Sequence, residues 1–577
     1  MTRYTMTSDV PATIQRTSAH PALPWWRPHA APLALMMAAS VAANPPVSEV
    51  EALRAITCGA ATTRVASTEP ADVSCVLYSV RAFRPLWLDA AGQPTVSAWR
   101  MIDSMQRAER RGLRSADYDA DAWTGRAAAL RAGGPAARAG FDDALTRQVL
   151  HFALDLHRGR IDPRRLGVGI DPSSKRLDRP MLVESLAGAQ DPDPLLDALE
   201  PPFAGYRRLR QALATLLMTS AHADVPVPAP SSRVLEPGAD DASVPALRAR
   251  LLQLGDLVAI DGVVEAGSAT RFDPALAAAL QRFQARHGLM IDGRLGANTL
   301  AALNVPLLRR IDQIRFAMER WRWVPSGFPE PPIVVNIPEF QLRAVGDDGR
   351  LALQMPVVVG RAFRTETPVF AELLRTLVFR PSWTVPPSIV RDELLPRALQ
   401  DPGYFARQGF EIVGVDDQSL TPETQRGLRR GQLALRQRPG PGNALGRVKF
   451  LFPNAHAVYL HDTPSRGAFA RARRDLSHGC VRVQDPEALA NFVLRKQPEW
   501  TPERIRAALD GEHDDVAVTV SPPIPVYLVY VTAVAPGDGA VHFFDDLYGH
   551  DATLQAALDE DSRTRCGVVP LRACARD

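Results

Sequence analysis

The apolar residues of this chain change period near residue 330. Before it, Leu145, Val149, Phe152 and Leu156 recur every three or four positions, which predicts one buried helical stripe. After it, Pro331–Val345 (PPIVVNIPEFQLRAV) alternates apolar with polar residues, turns at Gly346–Gly349 and resumes as LALQMPVVVG. That is the pattern of a β-hairpin opening a sheet. VKFLF, AVYLH and PVYLVYVTAV add three more strand-like runs. One chain must therefore hold helical and sheet units, and 577 residues are too many for a single core. Three or four domains in a multidomain α+β protein are expected.

Boundaries follow from local composition. Residues 48–234 read as helical. Val225–Asp241 (VPVPAPSSRVLEPGADD) is a Pro/Ser/Gly linker. Residues 243–304 read as a compact three-helix unit, with Leu247, Leu251 and Leu254 on the first helix and Leu276, Leu280 and Phe283 on the second. Asp273 is the expected N-cap of that second helix, Pro274 its first residue and Gly288 its stop. Residues 307–330 form a connecting helix, rich in Arg and Trp and suited to packing back on the N-terminal part. Residues 331–552 form the sheet domain, interrupted at about 387–439 by a polar, mostly helical stretch with little strand signal. Residues 553–577 read as a short helix and a tail.

The chemistry concentrates in Tyr459–Val483, YLHDTPSRGAFARARRDLSHGCVRV. A cysteine attacks only as a thiolate, and its free pKa is about 8.5. A nearby imidazole can take that proton and return it to a leaving amine. Cys480 has two candidate partners, His461 and His478. Gly479 permits a sharp turn, whose N–H groups can hold an oxyanion. Zinc on Cys480 and the two histidines would need a fourth ligand at matching spacing, and none stands there. No metal or cofactor is expected. A net charge of +3 makes no case for nucleic acid.

At these residues the chain resembles the YkuD-type L,D-transpeptidases, whose signature is a histidine, about fifteen residues, then S/T-H-G-C-x-R. Fifteen residues separate His461 from Ser477 here. The flanks PGPGNALGRVKFLFPN, VYLHDTP and PIPVYLVY resemble the large Gram-negative subtype, as do FRPLWLDAAG and HRGRIDPRRLG in the N-terminal part. The resemblance implies a helical scaffold domain, a three-helix peptidoglycan-binding domain and a mainly β catalytic domain whose insertion caps the site. It implies Cys480 as nucleophile and His461 as base, oriented by the backbone carbonyl of Asp462. Ser477, His478 and Gly479 would shape the turn and its oxyanion hole. Arg482 would bind a substrate carboxylate or stabilise the fold. Tyr459 and Trp383 would wall the donor pocket or pack the core. The implied reaction joins peptidoglycan stem peptides by a 3→3 cross-link through a thioester, with carbapenems as acylating inhibitors. A carboxypeptidase, a lipoprotein-anchoring transferase and a non-catalytic wall-binding protein are the alternatives. The small domain could also serve only as a spacer.

The five cysteines include two close pairs, Cys58 with Cys75 and Cys566 with Cys574, and leave Cys480 alone. In an oxidising compartment each pair could close; unpaired thiols are the other reading. Residues 30–43 form an apolar run shorter than the roughly 20 residues of a spanning helix. Arg27 before it and small residues at its end suit a signal peptide, with residues 1–43 cleaved or kept as an anchor. A buried helix is the alternative. The expected location is the periplasm, with the membrane touched only through that anchor.

Overall fold

The computed structural model describes residues 47–59, 70–258, 269–537 and 539–568. The expected signal or anchor at 1–43, and the pairing of the Cys566 and Cys574 side chains, lie outside the described residues.

The N-terminal region is helical: α1 (Val47–Cys58), α2 (Pro70–Val80), α3 (Val96–Gln106), α4 (Ala122–Ala129), α5 (Pro135–Arg158), α6 (Arg179–Gly188), α7 (Asp193–Leu199) and α8 (Ala204–Thr219). The stripe Leu145, Val149, Phe152 and Leu156 is fully buried along α5. Each such side chain contributes about 1.5–3 kcal/mol by leaving water. A disulfide joins Cys58 at the end of α1 to Cys75 in α2.

Next come α9 (Val244–Gln253), α10 (Pro274–Arg286) and α11 (Ala297–Leu303). Asp273 caps α10, its side chain accepting from Leu276 N–H, and Pro274 is the first helical residue. Gly288 ends that helix at φ +62°. The stretch Val225–Asp241 is more than the linker its composition predicts. Val227 and Leu235 are buried against the three helices, and Asn304 bonds both backbone groups of Val227. Two well-placed apolar residues are enough to lay a Pro-rich segment onto a core.

Helix α12 (Leu307–Trp323) ties the units together. Glu319 accepts from the N–H groups of Arg160 and Ile161 at 2.6 and 3.0 Å. Arg322, wholly buried, donates to Arg111 O and to Tyr206 Oη.

The sheet domain contains β1 (Ile333–Asn336), β2 (Gln341–Val345), β3 (Leu351–Gly360), β4 (Phe370–Phe379), β5 (Trp383–Thr384), β6 (Phe410–Ile412), β7 (Leu435–Gln437), β8 (Val448–Leu451), β9 (Leu460–His461), β10 (Asp475–Ser477), β11 (Val481–Val483), β12 (Val516–Val529), β13 (Ala533–Val534) and β14 (His542–Phe543). The order β3-β11-β9-β8-β4-β12-β1-β2 returns to β3, so the sheet closes on itself, with β10 added along β3. Pro331–Val345 is two antiparallel strands rather than the single strand its alternation suggests. The chain reverses at Pro338–Phe340, where Phe340 has φ +57°. Glu339 anchors the reversal through Arg343 and Asn336. Strand β4, without a counterpart in the sequence reading, lies between β8 and β12.

The insertion is helical in α13 (Pro387–Ile389), a π-helical turn Val390–Leu394, α14 (Leu395–Gln400), α15 (Tyr404–Arg407) and α16 (Pro422–Arg430). It also carries strand structure that its polarity hid: β5-β7-β6 form a separate small sheet. Val385, Leu395, Phe410, Ile412, Leu428 and Leu435 give it its own core. After β11 come α17 (Pro486–Leu494) and α18 (Pro502–Asp510). The expected tail at 569–577 lies outside the described residues, and the expected short helix near the C-terminus is nineteen residues long, α19 (His550–Val568). Its Arg565 pairs with Asp155 of α5, and its Asp561 pairs with Arg160. Partners supplied by the scaffold sustain a helix that the local pattern does not announce.

Candidate active site

Strands β9 and β11 run parallel, with Leu460 beside Val481 and His461 beside Arg482. Successive side chains on a strand point to opposite faces. Leu460, Val481 and Val483 therefore enter the core, where each is fully buried. Tyr459, His461, Cys480 and Arg482 fall on the other face. The alternation V-Y-L-H in one strand and C-V-R-V in the other thus serves packing and chemistry together.

His461 is 4% exposed. Its Nδ1 lies 2.5 Å from the backbone oxygen of Asp462, which assigns that nitrogen the proton and leaves Nε2 as the basic atom. The Asp462 carboxylate is occupied elsewhere. It accepts from the N–H groups of Arg447 and Thr463 and pairs with Arg466. A β-carbon on Gly446 would stand 2.4 Å from it, so only glycine lets that segment close over the carboxylate. Burial, with the Arg482 guanidinium adding to it, pushes the imidazole down to about 3. Burial raises the Cys480 thiol, opposed by hydrogen bonds from Tyr459 and by the charge of Arg482. The resting pair is thus a neutral thiol and a neutral imidazole. Cys480 Sγ faces Ala457 O at 3.8 Å, and no hydrogen bond joins it to His461 among the described residues. Catalytic hydrogen bonds are commonly long before substrate arrives.

The turn is held from two sides. Ser477 Oγ donates to Cys480 O at 2.6 Å and accepts from Gly479 N–H at 3.2 Å. Gly479 has φ +111°, a conformation that favours glycine. Its N–H is occupied by Ser477, whereas the Cys480 N–H beside the thiol has no acceptor among the described residues. Thr367 Oγ1 donates to Gly479 O at 2.7 Å, and Thr365 Oγ1 to Ser477 O at 2.9 Å. His478 turns away from the thiol and pairs through Nε2 with Glu393 of the insertion. Trp383 stands at the foot of the insertion, and burial pushes the Tyr459 hydroxyl above its ordinary range. Arg482 has a buried Nε without a partner and lies near enough to both Cys480 and His461 to affect their titration. Glu393, Thr365 and Thr367 escaped the sequence reading because they are remote in the chain and belong to no motif. Among the described residues no group of three or more His, Cys, Asp or Glu is placed to hold a metal ion.

Residues 331–508 match the family model of the YkuD L,D-transpeptidase catalytic domain. The chain carries a YkuD-type L,D-transpeptidase domain. Upstream of it, residues 75–213 match a scaffold-domain model and residues 240–303 a "Putative peptidoglycan binding domain". A Haemophilus influenzae protein named "Putative L,D-transpeptidase" is 37% identical over 235 residues, covering 39% of this chain and 45% of that protein. The chain thus spans less than half the length of that relative. Among solved structures, an L,D-transpeptidase (Yku) from Stackebrandtia nassauensis is 13% identical, covering 53% of this chain and 97% of its own, at a TM-score of 0.18. A fused Zn-dependent amidase/peptidase/peptidoglycan-binding domain protein from Clostridium acetobutylicum is also 13% identical, covering 51% and 99%, at 0.14. At such TM-scores neither bears on the fold. The transpeptidase domain follows the helical scaffold and the peptidoglycan-binding domain, the architecture expected from the sequence.

Proposed function

We propose that this chain is a peptidoglycan L,D-transpeptidase that makes 3→3 cross-links between stem peptides, with Cys480 as nucleophile and His461 as base. The observation that carries this reading is the parallel register that sets Tyr459, His461, Cys480 and Arg482 on one face. In the proposed reaction, Sγ attacks the carbonyl of the third residue of a tetrapeptide stem and its proton passes to His461 Nε2. The Cys480 N–H stabilises the oxyanion. The C–N bond breaks, the imidazolium protonates the leaving D-alanine amine, and a thioester remains. The side-chain amine of a second stem then attacks, gives its proton to His461, and the thiolate departs and is reprotonated. One amide replaces another, so no external energy source is required. The Tyr459 hydroxyl and the Arg482 guanidinium stabilise the transient thiolate. His478 and Ser477 hold the turn, and Trp383 with Tyr459 walls the donor side.

The peptidoglycan-binding domain would keep the enzyme on the wall and raise the local concentration of stems. Such substrates place the chain outside the cytoplasm. No helix of the described residues is long and apolar enough to cross a membrane, and residues 1–43 are proposed as the export signal or anchor.

Purified muropeptides incubated with the full chain and analysed by mass spectrometry test the proposal. Cross-linked dimer should exceed tripeptide when donor and acceptor are both plentiful, and a carbapenem should add to Cys480. Tripeptide alone at every acceptor concentration would make the chain a carboxypeptidase. Transfer to a lipoprotein lysine in place of a stem would make it an anchoring enzyme. Wall binding without either product would leave the non-catalytic reading.

A further inference from the structure

Phe363 is the most exposed aromatic side chain among the described residues, at 77% of its surface, and it has φ +56°. A residue with a β-carbon is strained in that left-handed region, and aromatic side chains seldom occupy it. Exposure and strain at one residue both cost stability.

The loop that displays this ring folds back on itself through hydrogen bonds and touches the catalytic turn. Arg361 N–H donates to Ser477 O at 3.0 Å, and Thr365 N–H closes back on Arg361 O at 3.0 Å. Phe363 N–H donates to Glu366 Oε1 at 3.1 Å. The fold-back is so tight that a β-carbon on Gly360 would stand 2.0 Å from Thr365 O. Thr365 and Thr367 reach the carbonyls of Ser477 and Gly479. On either side of the ring, Arg361 and Arg364 are exposed, and neither guanidinium has an ion pair or hydrogen bond among the described residues. Glu366, the carboxylate of the same loop, faces Phe363 N–H and His550 instead.

We propose that the loop 361–366 is a muropeptide-recognition element, in which Phe363 stacks against a sugar ring and Arg361 and Arg364 bind stem carboxylates. This rests on the reading of Cys480 as an acyl-transfer nucleophile. A pyranose offers a flat face of C–H bonds to an aromatic ring, and a stem peptide offers carboxylates that guanidiniums bind with charge-assisted hydrogen bonds. A disaccharide-linked stem supplies both at once. The insertion holds the turn through His478 and the loop holds it through two carbonyls, so both border the turn that carries the thiol. Preorganisation of the ring reduces the ordering cost of binding.

The test uses the full chain, Phe363→Gly, and the double variant Arg361→Gln/Arg364→Gln. Each is assayed with disaccharide-tetrapeptide and with sugar-free tetrapeptide, and dissociation constants for both ligands are measured in a Cys480→Ala background. Phe363→Gly should keep or raise Tm, because glycine accepts the positive φ. It should raise KM and Kd for disaccharide-tetrapeptide about tenfold and leave the sugar-free peptide within about twofold. The double variant should raise KM for both ligands about tenfold with kcat within about twofold, the mark of lost uniform binding. Carbapenem acylation of Cys480 should be unchanged in both. Disaccharide-tetrapeptide constants within about twofold of wild type in either variant would overturn the proposal. So would a clear fall in Tm for Phe363→Gly, which would make the ring structural. A wild-type chain that is never acylated would sink the acyl-transfer reading. In that case the Kd values still decide the loop, because they need no turnover.

Discussion

At Cys480 and His461, burial sets the charge states. Both groups are driven toward their neutral forms, the imidazole to about 3 and the thiol upward. A base depressed this far is already unprotonated throughout the usual pH range. The acylation rate of Cys480 should therefore be flat from about pH 5 to pH 8, with no limb near the ordinary histidine value of about 6.5. Stopped-flow acylation across that range checks it; a midpoint near 6.5 would mean a solvated imidazole. The same depression affects stability. An unfolded chain binds a proton at His461 below about 6.5 and the folded one does not, so this residue's contribution is complete above that pH and is lost as pH falls toward 3. Cys480→Ala should remove all but about one per cent of product, because one side chain carries the covalent step. Its Tm should stay close to wild type, and residual turnover well above that level in a muropeptide assay would sink the nucleophile assignment.

At the scale of elements, the insertion and the catalytic turn are joined through Glu393 and His478. This contact is partly solvated, and such exposed pairs contribute only about 0–1 kcal/mol, too little to lock the insertion in place. In the proposed reaction the insertion would serve as a lid that keeps water from the thioester. Glu393→Gln should therefore raise the ratio of tripeptide to cross-linked dimer while carbapenem acylation of Cys480 persists. Removing most of residues 387–439 should shift the ratio further, as read in the same mass-spectrometric assay. An unchanged ratio in both would reduce the insertion to a surface excursion. Its polarity suggests a mostly helical stretch with little strand; β7 forms because it pairs with Trp383 and Thr384 of β5 on one edge and with β6 on the other.

Across the whole molecule, the scaffold and the C-terminal helix clasp α12 through buried charge. Glu319 receives two N–H groups that have no other acceptor among the described residues. Glu319→Ala would strand both, together with the charge of Arg322, at an expected cost of about 3 kcal/mol. Urea unfolding followed by tryptophan fluorescence should show it, with Trp323 at the end of α12 reporting the loosened junction. Loss below about 1 kcal/mol would mean that water replaces the carboxylate. The disulfide Cys58–Cys75 leads to a further expectation. Alkylation of denatured, unreduced chain should label Cys480 and spare Cys58 and Cys75. Labelling of both would contradict the pairing.

Local pattern alone determined the helical scaffold, the capped helix α10 of the peptidoglycan-binding domain, the sheet character after residue 331 and the motif around Cys480, while the choice of His461 over His478 as its partner came from the family resemblance. Each depends on short-range periodicity or on a motif whose spacing is written in the chain. Only tertiary structure decided the rest. The split of Pro331–Val345 into two strands needs a neighbour on each side, since alternation reads the same on both sides of a turn. Strand β4, the small sheet of the insertion and the length of α19 depend on partners far away in sequence. Glu393 beside His478 lies 85 residues away in the chain, Thr367 beside Gly479 lies 112 away, and the loop that carries Phe363 meets the thiol's turn from a comparable distance. No periodicity encodes them, because they arise where independently folded segments meet.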